Sequence, residues 1–174
     1  MAIFEILKYP NPVLRQISEP VTVFDQDLAD LASDMAETML AAPGAGLAAP
    51  QVGKPVRLIV IDNSSDEEDH GTRVLPLVNP EIVESDGSQI FEEGCLSVDE
   101  LKANVSRANF IRVEAQDLEG RPIDLEFEGR RAVILQHEID HLKGILFIDH
   151  LSLLKRTMYE KHVSKKLKKQ EKEK

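Results

Sequence analysis

Residues 132–144 read AVILQHEIDHLKG. On a helix, His137 and His141 lie on one face about a turn apart, close enough for both rings to bind one metal ion. Glu138 is rotated roughly 100° from His137. That sets it beside a metal, where a carboxylate takes a proton from activated water. The competing reading is an ordinary surface helix, since five-residue H-E-x-x-H matches occur by chance. The flanks argue against it. AVIL precedes the motif and ILFI follows it, so the helix is expected to be buried, and unpartnered imidazoles and carboxylate are costly there. The helix is expected to start at about Arg130 and to stop at Gly144.

Outward from this helix the period changes. ANFIRVEAQDLEGRPIDLEFEG (108–129) and VLPLVNPEIVES (74–85) alternate apolar with polar residues around turn signals. This predicts antiparallel strands, with DLEGRP as a hairpin connection. VRLIVID (56–62) is a β-branched strand running into the acidic loop NSSDEEDHG, where His70 reads as solvated. From Asp25 the pattern is helical, with Leu28, Leu31, Met35 and Met39 on one face. APGAG ends that helix, and YPNPVLRQ is an early turn carrying two prolines. Ser152 is placed to cap a last helix. The expected class is α+β: antiparallel sheets around a central metal-binding helix, with N-terminal and C-terminal helices. One domain over 1–154 is expected, with 155–174 as a helical extension of it.

The chain has 174 residues, 42% hydrophobic and 30% charged, an ordinary balance for a globular domain. No apolar run approaches the roughly 20 residues that span a bilayer, and MAIFEILKYP lacks the marks of a signal peptide. The single cysteine, Cys95, suits a reducing cytoplasm and excludes a Cys₄ or Cys₂His₂ zinc module. The net charge of −10 is uneven, because residues 155–174 carry 9 Lys/Arg against 3 Glu. The acidic body disfavours nucleic acid, and specific DNA binding is not expected. The basic tail suits either solvent or an anionic surface.

A metal on His137 and His141 needs a third protein ligand. A metzincin-like site requires histidine where Phe147 stands, so that reading fails. A thermolysin-like site would use Glu160, which lies where the lysine-rich tail begins. Cys95 in FEEGCLSVDE is the remaining candidate, and spacing alone leaves it between thiolate ligand and packed side chain. PGAGLAAPQVG (43–53) is the other unusual stretch. A helix-to-strand turn explains Gly44 and Gly46; phosphate cradling lacks the preceding strand and the Lys-Ser/Thr it needs. Gln51 fits that explanation less well, and its amide suits donation to an oxyanion.

GAGLAAPQ (44–51), EGCLS (93–97) and HEIDH (137–141) occur in this order. Together they resemble the three signature motifs of the peptide deformylases, GxGLAAPQ, EGCLS and HExxH. ILKYPNPVLRQISEPV and GILFIDHLS look like the same family, so the resemblance covers nearly all but the tail. It implies removal of the N-formyl group from formyl-methionyl nascent peptides in the cytoplasm, with release of formate. It further implies Cys95, His137 and His141 as metal ligands and Glu138 as general acid/base. Gln51 and the backbone N–H of Leu96 would serve as oxyanion donors, with Gly44, Gly46, Leu47, Glu93 and Gly94 lining the substrate groove.

The resemblance points to Fe²⁺ as the native ion, with Zn²⁺, Ni²⁺ or Co²⁺ able to take its place, since a His₂Cys set suits several of them. Asp99 stands where many relatives have proline, and Lys102 stands where a basic residue often faces substrate. Some relatives dock a C-terminal helix on the ribosome, which the basic tail resembles. Two other classes stay open: a zinc peptidase using Glu160, and a non-catalytic ribosome-associated metal binder. Nothing in the spacing of His150 and His162 recruits them.

Overall fold

The computed structural model describes residues 2–64 and 74–174, and His70 lies outside the described residues. Among these residues are three α-helices, α1 (Gln26–Ala41), α2 (Gly129–Leu142) and α3 (Leu153–Lys172). The strands are β1 (Gly46–Ala48), β2 (Leu58–Asp62), β3 (Val74–Asp86), β4 (Gln89–Cys95), β5 (Val98–Arg107), β6 (Phe110–Gln116) and β7 (Pro122–Glu128). Five form one antiparallel sheet in the order β1-β2-β3-β6-β7, and β4 and β5 form a separate hairpin.

The apolar run of β2 shows why helices cover both faces of the large sheet. Side chains alternate across a strand. Ile59 and Ile61 therefore join the core under α2, while Leu58 and Val60 join the core under α1. The strand starts at Leu58 rather than at Val56, which instead makes a lone parallel bridge to Glu19. α1 begins where expected, with the Asp25 side chain accepting from the Leu28 N–H at 3.1 Å. Its buried face carries Leu28, Met35 and Met39.

In α2, Ala132, Leu135, Ile139 and Leu142 recur at helical spacing and pack on the sheet. His137, Glu138 and His141 fall off that stripe yet are also buried. A third cluster ties α3 to the body, with Tyr159 and Val163 packed among Leu14, Val98, Leu146 and Phe147. Ser152 caps α3, accepting from the Lys155 N–H at 3.3 Å.

The start of the chain is laced to the far end of α2. The Ser18 N–H donates to the Leu142 carbonyl at 2.9 Å, and Arg15 bonds both oxygens of Asp149 at 2.6 and 3.1 Å. Gly144 has φ +72°, and a Cβ there would sit 2.5 Å from the Arg15 carbonyl oxygen. Only glycine can both stop this helix and admit the backbone of Arg15. No helix among the described residues is long and apolar enough to cross a membrane.

Candidate metal centre and active site

β4 ends at Cys95, and a two-residue turn, Leu96–Ser97, leads into β5. That turn lies against α2, so that Cys95, His137 and His141 offer ligand atoms that all fall within 4.8 Å of one another. Cys95 Sγ is 3.4 Å from His141 Nε2, which is 3.3 Å from His137 Nε2. Two imidazole nitrogens and a sulfur converging in this way form a donor set that could hold a metal ion.

The electrostatics agree. Burial alone would push the His137 ring down, but Cys95, then Glu93 and Glu138, lift it well above its ordinary 6.5. The pocket therefore favours positive charge at that point. Burial pushes His141 well below 6.5, which keeps its ring neutral and able to ligate. These donors fit a divalent ion.

Glu93 Oε1 accepts from His137 Nδ1 at 2.9 Å, which turns the other ring nitrogen toward the cluster. Arg107 holds Glu93 in turn, its Nε and Nη2 donating to both carboxylate oxygens at 2.8 and 2.9 Å. Its Nη1 reaches Asp140 Oδ2 at 2.6 Å. Burial alone would raise the Glu93 carboxyl, but the bonds from Arg107 and His137 outweigh it and hold it at about 2 against an ordinary 4.5. The folded protein thus binds fewer protons than the unfolded chain between those values. The stabilisation is present above pH 4.5 and is lost as pH falls toward about 2. Glu93→Gln is expected to flatten that acid-side loss, as read from urea unfolding of metal-free protein across this range.

Glu138 lies against the same cluster, 5% exposed, and its Oε2 has no hydrogen-bond partner among the described residues. Burial, the largest influence, pushes its carboxyl up to about 7. The opposite wall is Gly46, where a Cβ would come within 2.8 Å of Glu138 Cγ and Oε1. A methyl group there would displace the carboxylate. Gln51 is 1% exposed, its Oε1 accepting from the Ala48 N–H at 2.9 Å and its Nε2 donating to Ser97 Oγ at 3.1 Å. Nε2 also lies 3.8 Å from Cys95 Sγ.

These groups open on a cavity of about 880 Å³, whose wall includes Gly44, Gly46, Gln51, Glu93, Gly94, Cys95, Leu96, His137 and Glu138. The structure thus brings the expected site residues together with one exception. Leu47 packs in the core beside Met35, Met39 and Val60 and does not line the cavity. Alternation along β1 turns Gly46 and Ala48 toward α2 and sends Leu47 the other way. Glu93 reaches the wall, but its oxygens are occupied by Arg107 and His137. Glu160 is exposed on α3 and is not part of the ligand cluster, so the peptidase reading that needs it as third ligand is set aside.

Asp99 pairs with Lys8 at 2.9 Å, and both border the cavity, as does Lys102. Arg107, Asp140 and Ser97 are the site residues that the sequence reading missed. His150, read as ordinary, donates to Asp140 Oδ2 at 2.8 Å, whereas His162 pairs with exposed Glu100 at 2.9 Å.

The model of the family described as polypeptide deformylase matches residues 3–157. The chain belongs to this family. Among curated deformylases it is 54% identical over 165 residues to the peptide deformylase of Desulfotalea psychrophila, covering 95% of this chain and 97% of that one. Its fold superposes on the crystal structure of a peptide deformylase from Legionella pneumophila with TM-score 0.87 at 47% identity, covering 97% and 98% of the two chains. A class I type b peptide deformylase from Acinetobacter baumannii, solved with Met-Ala-Ser bound, superposes with TM-score 0.80 at 35% identity, covering 86% and 99%. The mixed fold with antiparallel sheets and three helices is that of the solved deformylases.

Proposed function

We propose that this deformylase-family protein removes the N-formyl group from formyl-methionyl nascent peptides through the Cys95, His137, His141 and Glu138 cluster. The observation that carries the reading is the convergence of three ligand atoms beside an unpaired, buried carboxylate at the wall of a peptide-sized cavity. Cys95, His137 and His141 would hold a divalent ion, which when bound would supply Lewis acidity and lower the pKa of water from about 15.7 toward about 7. Glu138 takes the proton of the attacking water and later gives it to the departing nitrogen, so that formate and a free amine result. A carboxyl lifted to about 7 is suited to both halves of that transfer. Gln51 Nε2 and the Leu96 N–H donate to the formyl oxygen as charge develops there. Glu93 keeps the His137 ring turned toward the cluster.

The edge strands β1 and β4 both border the cavity, with Gly44–Gly46 on one side and Phe91–Cys95 on the other. An extended peptide can pair with such open edges, and Val133 and Ile134 offer an apolar wall to a methionine side chain. Met-Ala-Ser bound to the A. baumannii relative is the peptide that deformylation of formyl-Met-Ala-Ser would leave.

The test is formate release from formyl-Met-Ala-Ser by anaerobically purified protein, with metal assayed on the same sample. Fe²⁺ at about one per chain is the expected native ion. Gln51→Ala is expected to lower kcat by about 10²–10³-fold, the usual cost of one oxyanion donor. No formate release from metal-loaded protein would overturn the reading.

Residues 155–174 are assigned as an extension of the 1–154 catalytic unit, in the cytoplasm, that meets ribosomal RNA phosphates. The support is the 9 Lys/Arg of this segment and the exposure of Leu153, Leu154 and Met158 at its root. Tyr159 and Val163 belong to the core, so charge reversal is a cleaner test than truncation. Lys165, Lys168, Lys169 and Lys172 changed together to Glu are expected to abolish co-sedimentation with ribosomes; equal, salt-insensitive binding would sink the assignment.

A further inference from the structure

Arg107 is held by two carboxylates, Glu93 and Asp140, and the line of contacts continues outward to His150. His150 Nε2 lies 2.8 Å from Asp140 Oδ2, the same oxygen that Arg107 Nη1 reaches at 2.6 Å. The two nitrogens stand 3.4 Å apart. Both are donors aimed at one acceptor, so their approach is a consequence of sharing it and not a bond. The Arg107 side chain is 4% exposed and that of His150 is 37% exposed.

Five residues from four elements therefore form one chain of contacts: His150 from the 3-10 turn Phe147–His150, Asp140 and His137 from α2, Arg107 from β5 and Glu93 from β4. We propose that His150 is a positioning residue for the metal centre, fixing Asp140 so that Arg107 and Glu93 hold the His137 ring in its ligating orientation. This rests on the reading of Cys95, His137 and His141 as metal ligands.

The physical case has two parts. The Arg107 guanidinium faces one carboxylate more than it can neutralise, so a second donor on Asp140 Oδ2, the oxygen that Arg107 reaches, helps to hold the remaining negative charge. Secondly, among the described residues Arg107 is the only group on Asp140 Oδ2 besides His150. Without the imidazole N–H, that carboxylate is free to turn to solvent and release Nη1. A slackened Arg107 loosens Glu93, whose bond sets the tautomer and tilt of His137.

The test compares Co²⁺-loaded wild type, His150→Leu and His150→Gln, following loss of cobalt absorption in excess chelator. Loss of a direct partner of a ligand costs about 10–100-fold in metal affinity. Acting through further bonds, His150→Leu is expected to release metal roughly threefold to tenfold faster than wild type. His150→Gln keeps an N–H donor and is expected to release near the wild-type rate, with metal-free forms of both variants melting together. Release from His150→Leu at the wild-type rate, or equally fast release from both variants, would overturn the proposal. A wild-type protein that retains no cobalt would overturn the ligand reading itself, and the proposal with it.

Discussion

Glu138→Ala is expected to lower kcat for formyl-Met-Ala-Ser by about 10²–10⁴-fold while metal content stays at the wild-type level. The carboxylate is not among the three converging ligand atoms, so its loss leaves the metal's protein donors in place. In the proposed mechanism it removes the group that carries a proton from water to the leaving nitrogen. An amide nitrogen leaves as an amine only when protonated, so the loss falls on kcat more than on KM. The measurement is steady-state formate release with metal assayed on the same preparation. If Glu138→Ala retained full activity, the proton-transfer role would be lost. A protein that held metal and bound ribosomes, but released no formate even with Glu138 intact, would be the non-catalytic binder.

Arg107→Leu is expected to be the most damaging single change to stability. It leaves Glu93 and Asp140 facing each other without their shared cation, and breaking a buried pair in this way costs about 3–5 kcal/mol. For a chain of this size each kcal/mol moves Tm by roughly 2–4 °C, so thermal unfolding should begin roughly 6–20 °C earlier. Adding Glu93→Gln and Asp140→Asn to Arg107→Leu should recover part of the loss, because the stranded charges are then gone. A melting curve unchanged by Arg107→Leu would show that the network carries no net stability.

The sequence made α2, α1 and β2 legible because each advertises its burial by period: HEIDH within AVIL and ILFI, the Leu28 stripe, and the unbroken run LIVID. Cys95 and Glu160 were separable only in space, since no periodicity says which of two distant residues meets a helix. Arg107 left a trace that could have been followed. It falls two positions after Val105 in a strand, on the same face, and both are buried. A buried guanidinium demands carboxylates, and EEG in the neighbouring motif and the Asp of HEIDH supply them. Leu47 was misplaced because a motif was read as a surface, whereas a three-residue strand sends alternate side chains to opposite layers.

The lacing of Arg15 and Ser18 to Leu142, Gly144 and Asp149 bears on how this molecule comes into being during its own synthesis. The partners of its first turn are made roughly 130 residues later, when most of the chain has already left the ribosome. α1 and the β1–β2–β3 meander can assemble early from near neighbours, but the opening segment must wait, and the loop it closes is among the longest the chain can form. Completion of the fold therefore waits on the synthesis of Leu142, Gly144 and Asp149.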